Sequence, residues 1–337
     1  MAGSLIALDV MGGDDAPEAT ILGALAACSR QGRWHVPAER LLLVGDKPRM
    51  EALLRQHGGD PGFHLEHASQ VIEMGDSPAQ ALRAKPDSSI ARCVQAVREK
   101  RASALVGMGN TGACVGAATL GLGTIPGVRR PGIAVTLDLT GKPITILDMG
   151  ANIAPKPDHL AQYGAMGSVY AQDCLGQARP RVGLLNVGEE KGKGTDLLKE
   201  AFELLETSGV EFVGNVEGGD IFRGVCDVVV TDGFTGNVIL KLLEQFATFF
   251  MGKIVGELKK ADGAASDEAL AKLKASIDYK SYGGALLLGV NGVVIIGHGR
   301  SDEKAIANAI AQALRAVDAR VTEHIERGLA AAPSRSS

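Results

Sequence analysis

Asp227-Val228-Val229-Val230-Thr231 is an apolar run that stops at Asp232-Gly233-Phe234-Thr235-Gly236-Asn237, and an amphipathic window then continues from Gly236 to Lys260. Three consecutive valines with no polar alternation mark a strand buried on both faces, the situation of a central strand in a parallel sheet. The pattern recurs outward in both directions. Leu5–Val10 runs into Met11-Gly12-Gly13-Asp14-Asp15-Ala16-Pro17, Ala104–Gly107 into Gly109-Asn110-Thr111-Gly112-Ala113, and Pro143–Asp148 into Met149-Gly150-Ala151-Asn152. Further strands are expected at Leu41–Gly45, Phe63–His67, Ile133–Leu137, Val182–Asn186 and Glu211–Val213. Helices are expected at Glu18–Ser29, Arg49–His57, Ser89–Lys100, Thr111–Leu122, Pro157–Cys174, Asp196–Thr207, Ser266–Ile277 and Asp302–Arg327. Strands alternating with helices predict an α/β fold, three layers deep (α/β/α), on a mostly parallel sheet.

Ala285–Val290 and Val293–Ile296 flank Asn291-Gly292, a pair favoured in type I′ hairpin turns because both central residues need positive φ. No Pro/Ser-rich linker or charge run divides the chain. We therefore expect one unit of two lobes over residues 1–329, with a helical pair protruding at about 236–278 and a disordered tail at 330–337. A net charge of −4 and 4% aromatic residues argue against a nucleic-acid binder. The five cysteines are scattered and never spaced C-x-x-C, so neither a disulfide framework nor a zinc site is expected. The cytoplasm is the expected compartment, since no basic segment precedes the first apolar run. The most apolar stretch, Gly283 to Gly299, is too short to span a bilayer.

In open α/β sheets ligands bind beyond the carboxyl ends of the strands, and four glycine-rich clusters fall there. Each following helix points backbone N–H groups at that edge, which suits an anion. A single such loop is also what any strand-to-helix turn requires, because Asp, Asn and Thr are good N-caps. Gly107-Met108-Gly109-Asn110-Thr111-Gly112 matches the dinucleotide pattern G-x-G-x-x-G, but no acidic strand end follows at the usual distance. Gly188–Thr195 is one residue short of a P-loop and lacks Ser or Thr after its lysine. The seven histidines form no H-E-x-x-H, so no metal is expected; His159 and His298 are single loop candidates. G-x-S-x-G is absent.

Taken together, Asp9–Asp14, Gly109–Ala113, Asp148–Asn152, Gln162–Tyr170, Arg181–Gly188 and Thr231–Asn237 resemble the bacterial acyl-ACP:phosphate acyltransferases, the PlsX family, in unbroken order from about Leu5 to Glu326. The resemblance implies transfer of a fatty acyl group from acyl carrier protein to inorganic phosphate, without cofactor. It also implies a fold like isocitrate and isopropylmalate dehydrogenases and phosphotransacetylases, a homodimer, and peripheral contact with the inner face of the cell membrane. The chain departs from the family at Asp15, where many members have His, at Gly107-Met108 and at Gly299-Arg300. An NAD-dependent dehydrogenase and a non-enzymatic anion sensor are the competing readings.

Attack of phosphate on a thioester requires an anion cradle and donors for the oxyanion. Backbone N–H groups at Gly109–Gly112 and Gly233–Asn237 suit both tasks, with Gly236 and the side chains of Asn110, Thr111, Asn152, Thr235 and Asn237. Asp148 or Asp232 is expected to orient a donor or move a proton, and Arg83, Lys156 and Lys241 to balance phosphate charge. Between Val238 and Ile277 the apolar stripe is wider than one helix face. One reading buries it in a core or dimer interface; the other lays a tip of Phe249, Met251 and Ile254 on the membrane surface.

Overall fold

The computed structural model describes residues 5–29, 35–138, 141–260 and 283–331. The chain first forms β1 (Leu5–Asp9), α1 (Glu18–Ala27), β2 (Leu41–Gly45), α2 (Lys47–Gln56), β3 (His64–His67), α3 (Pro78–Ala84), α4 (Ser89–Arg98), β4 (Ala102–Gly107) and α5 (Thr111–Leu122). It continues through β5 (Gly132–Asp138), β6 (Pro143–Leu147), α6 (Pro157–Leu175), β7 (Arg181–Leu185), α7 (Asp196–Glu206), β8 (Glu211–Val216), α8 (Asp220–Arg223), β9 (Val228–Val230) and α9 (Gly233–Lys260). The last described elements are β10 (Ala285–Leu288), β11 (Val293–Ile296), α10 (Glu303–Asp318) and α11 (Val321–Ala331). Two compact units result, one from Met1–Pro131 with Tyr282–Ser337 and the other from Gly132–Ser281.

In the first unit the strands lie in the order β3-β2-β1-β4-β11-β10, all parallel except β10, which runs antiparallel to β11. Successive residues of β1, Ile6, Ala7 and Leu8, have no exposed surface. Since neighbours on a strand point to opposite faces, both faces must be covered. Both α10 and α4 pack on β1 and β4 and do the covering. In the second unit the order is β5-β6-β9-β7-β8, with β5 antiparallel to β6 and the rest parallel. There α6 packs on β6, β7 and β9. The three valines of β9 are fully buried, as their run predicts. The mostly parallel α/β architecture is the expected one.

Local readings differ at a few places. The Ala285–Ile296 hairpin forms, but not with a type I′ turn: among the described residues only Lys100 and Arg320 are non-glycines with positive φ, so Asn291 is not. Its amide instead donates to the carbonyls of Leu122 and Thr124, at 3.3 and 2.9 Å, and Gly289 and Gly292 take the positive φ values. The helix expected at Asp302–Arg327 is two helices, because Arg320 at φ 49° turns the chain between α10 and α11. Helices α3 and α8 leave no signal in the sequence, because at 7 and 4 residues they carry too little periodicity. The helix expected at Ser266–Ile277 lies outside the described residues; the tail expected at 330–337 starts too early, since α11 runs through Ala331, and its remainder lies outside the described residues.

Candidate functional site

In the first unit the strand order reverses at β1 and β4, with β2 and β3 on one side and β11 and β10 on the other. Such a reversal opens a crevice beyond the carboxyl ends of the two strands. Asp9 ends β1 there, buried, with Oδ1 accepting the Met11 N–H at 3.2 Å. Burial pushes its carboxyl above the ordinary aspartate range, against hydrogen bonds from Ser89 and the loop N–H groups. A Cβ on Gly12 would stand 2.8 Å from both Asp9 Oδ2 and the Gly109 nitrogen, so only glycine lets the loops after β1 and β4 touch. The Asp14 N–H donates to the Gly299 carbonyl at 2.8 Å, which brings in the loop after β11.

Asn110 caps α5: its Oδ1 accepts from the Ala113 N–H at 3.0 Å. Its Nδ2 donates to the carbonyls of Met74 and Asp76, each at 3.0 Å. Both halves of the amide are thus spoken for. The hydrogen-bonded Lys85 ammonium, 2.5 Å from Asp76, holds that carboxyl below the usual range. Thr111 and Gly112 open α5, with Gly112 so near Pro78 that a Cβ would meet its ring at 2.7 Å. Arg83 is exposed in the last turn of α3, which packs on α5.

In the second unit Asp148 follows β6 and has no exposed surface. Its Oδ1 accepts from the N–H groups of Ile133, Gly150 and Ala151 at 2.9, 3.1 and 2.9 Å. Its Oδ2 accepts the Asn152 N–H at 2.7 Å and the Asn152 amide at 3.4 Å. Burial raises this carboxyl's pKa while the four backbone donors pull it back down. The Asn152 amide also donates to the Tyr163 hydroxyl at 2.7 Å.

The loop after β9 is stitched to this one. The Gly233 N–H donates to the Asn152 carbonyl at 2.9 Å, and a Cβ there would sit 2.6 Å from that oxygen and 2.8 Å from Asp148 Oδ2. A Cβ on Gly236 would run into the Asp148 carbonyl oxygen. Asp232 caps the start of α9, accepting the Thr235 N–H at 2.9 Å and the Thr235 hydroxyl at 2.7 Å. Asn237 is exposed and lies against Gly150. One patch, buried at Asp148, Gly233 and Gly236 and exposed at Asn237, therefore holds these residues together with Asn152, Asp232 and Thr235.

The remaining candidates lie around these loops. Lys156 is exposed just before α6, and its N–H donates to His159 Nδ1 at 3.1 Å, which makes His159 a helix cap. His298 similarly accepts the Arg300 N–H at 3.1 Å. Lys241 lies a turn beyond Asn237 and pairs with Glu244 at 2.9 Å. On α9, Phe249 is exposed and Ile254 half-buried; the side chain of Met251 lies outside what the structure describes. The reading of the sequence did not single out Asp9 as a loop anchor, nor the Met74–Asp76 segment held by Asn110. Asp9 carries a signal, an acid closing an apolar strand ahead of two glycines; Met74–Asp76 carries none. Among the described residues no three His, Cys, Asp or Glu side chains are grouped to hold a metal, and no helix is long and apolar enough to cross a membrane.

Solved structures place this architecture among the phosphotransacetylase-like folds. The phosphotransacetylase of Streptococcus pyogenes superposes with a TM-score of 0.61 at 18% identity, covering 94% of each chain. The EutD phosphotransacetylase of Staphylococcus aureus gives 0.59 at 14%, covering 93% of this chain and 94% of its own. A 4-hydroxythreonine-4-phosphate dehydrogenase from Klebsiella pneumoniae gives 0.53 at 14%, covering 96% and 100%. At such identities the likeness is one of fold. Sequence makes the assignment narrower. Residues 5–324 match the family described as fatty acid synthesis protein, and the chain belongs to it. It is 44% identical over 330 residues to the phosphate acyltransferase of Pelotomaculum thermopropionicum, covering 96% of this chain and 94% of that one. With the phosphate acyltransferase of Syntrophotalea carbinolica the identity is 42%, over 95% and 92% of the two chains.

Proposed function

We propose that this chain is a phosphate acyltransferase that takes its fatty acyl group from acyl carrier protein and releases acyl phosphate for phospholipid synthesis. The observation that carries the acyl transfer is the near-full-length identity to phosphate acyltransferases; the carrier as donor is the finer step. In the reaction a phosphate oxygen attacks the thioester carbon, the C–S bond breaks, and the carrier's thiolate leaves and takes up a proton. Phosphate and the oxyanion both need fixed N–H donors. Each unit has such donors of its own: the start of α5 at Thr111–Gly112, on a loop fixed by Asn110, and the start of α9 at Gly233–Gly236, on loops fixed by Asp148 and Asp232.

In this reading Asp148 is a positioning residue rather than a proton carrier, since five donors occupy its two oxygens. Asn110 and Asp232 act by capping. Gly109, Asn152, Thr235 and Asn237 shape the substrate loops, while exposed Arg83 and Lys156 draw phosphate; Lys241 contributes less because Glu244 neutralises it. Of the glycines in G-x-G-x-x-G, Gly107 and Gly112 are called for by packing, since a Cβ would come 3.1 Å from Cys114 Sγ and 2.7 Å from Pro78, so that part of the match needs no dinucleotide. Both units serve one acyltransferase, working in the cytoplasm as a homodimer, with the Phe249, Met251 and Ile254 region of α9 touching the membrane. The deciding assay is thiol release from acyl carrier protein thioester, with and without phosphate and with NAD absent. Release that does not depend on phosphate would sink the proposal.

A further inference from the structure

Resting on the acyl-transfer reading, we propose that Ile153, Val187 and Phe234 form an apolar rim that seats the substrate's hydrocarbon chain and sets its preferred length. Large apolar side chains exposed singly are common on protein surfaces. These three are 74, 81 and 64% exposed, and they follow three neighbouring strands, β6, β7 and β9, at their carboxyl ends. Adjacent strands lie about 4.8 Å apart, so the three strand ends fall within about 10 Å of one another across the sheet. Ile153 follows Asn152 and Phe234 follows Gly233, and the 2.9 Å bond from the Gly233 N–H to the Asn152 carbonyl holds those two positions side by side. Val238, also exposed, continues the Phe234 face one turn along α9.

An acyl thioester is polar at one end and hydrocarbon at the other. Complementary protein surface must set hydrogen-bond donors beside apolar area, and this loop cluster does so within one residue of Asn152 and of Gly233. Each methylene buried strengthens binding by about fourfold, so a rim of three side chains is enough to grade chain length.

The test compares butanoyl and hexadecanoyl thioesters of acyl carrier protein in phosphate-dependent thiol release. Ile153→Ala and Val187→Ala should each lower kcat/KM for the hexadecanoyl donor by about tenfold and leave the butanoyl value within about twofold, and Phe234→Ala should lower the ratio of the hexadecanoyl to the butanoyl value by about tenfold. Phe234→Leu, which keeps apolar volume, should retain most of the wild-type preference. Equal losses for both donors, or none, would overturn the rim. So would a loss that tracks dissociation of a dimer in size-exclusion chromatography, since a second copy would then cover these residues, or one seen only with phosphatidylglycerol vesicles present. Wild-type enzyme without phosphate-dependent release would overturn the acyl-transfer reading and the rim with it; active wild type with flat variants overturns the rim alone.

Discussion

At Asp148 the carboxylate oxygens accept four backbone N–H groups and one side-chain amide, and the carboxylate is buried. Replacing one oxygen with NH2 would turn a donor against donors and leave buried N–H groups unpaired, at about 1–3 kcal/mol for each. Asp148→Asn should therefore lose about 2–3 kcal/mol in urea unfolding, with turnover falling to background, because the Met149–Asn152 loop loses its anchor. Unchanged stability would show that the loop is held by other means. Asn110 permits a finer separation. Asn110→Ala removes both the cap of α5 and the tether to Met74 and Asp76, whereas Asn110→Ser keeps an oxygen for the Ala113 N–H and discards only the tether. The alanine variant should lose about 1 kcal/mol more than the serine variant, and Asp232→Ala about 1 kcal/mol in all. Equal losses at Asn110 would mean that the cap contributes nothing.

The segment from Ser69 to Ser89 is held by Asp87, which accepts from the Ser69 hydroxyl and N–H and from Arg92. The Ser69 bonds, then the Arg92 guanidinium, keep its carboxyl at about 2, below the ordinary 3.8. A folded-state value below the unfolded one means stability that is complete above 3.8 and lost as pH falls towards about 2. The gap in urea midpoint between wild type and Asp87→Asn should thus be present at neutral pH and close through that window. A gap independent of pH would remove Asp87 from acid sensitivity. In α9 a different physics governs. Phe246 and Phe250 stack with centroids 5.6 Å apart, Lys253 sits 5.7 Å over Phe249, and all three rings are substantially exposed. Aromatic rings with a cation beside them suit the interface of an anionic bilayer. The triple variant Phe249→Ser/Met251→Ser/Ile254→Ser should stop floating with anionic liposomes while acyl transfer in solution persists; flotation at the wild-type level would reject that contact.

A net charge of −4 means that an acidic partner must meet a locally basic surface. Arg129 and Arg130 are both exposed, just before the chain leaves the first unit. Reversing both charges should raise KM for acyl carrier protein about tenfold, weakening further at low salt, and leave KM for phosphate unchanged. An unaltered carrier KM would move the docking face elsewhere.

Much of this was written locally. Strands covered on both faces must be apolar at nearly every position, so Val228–Val230 and Leu5–Leu8 announce themselves, and α5 begins at Thr111 and ends at Leu122, as its pattern predicts. Glycine and cap residues stand where β1, β4, β6 and β9 end because turn geometry and helix N-termini demand them within a few residues. Only the tertiary structure decided the rest. The Ala285–Ile296 hairpin returns to pair with β4, far earlier in the chain, and Asn110 spends its amide on carbonyls 36 and 34 residues away. That separation turns a plausible oxyanion donor into a loop tether. Asp148 likewise looks like a free acid until Ile133, from the neighbouring strand, supplies one of its five donors. Local pattern encodes which backbone groups need partners; which distant group answers them depends on strand order, and no window of the sequence contains it.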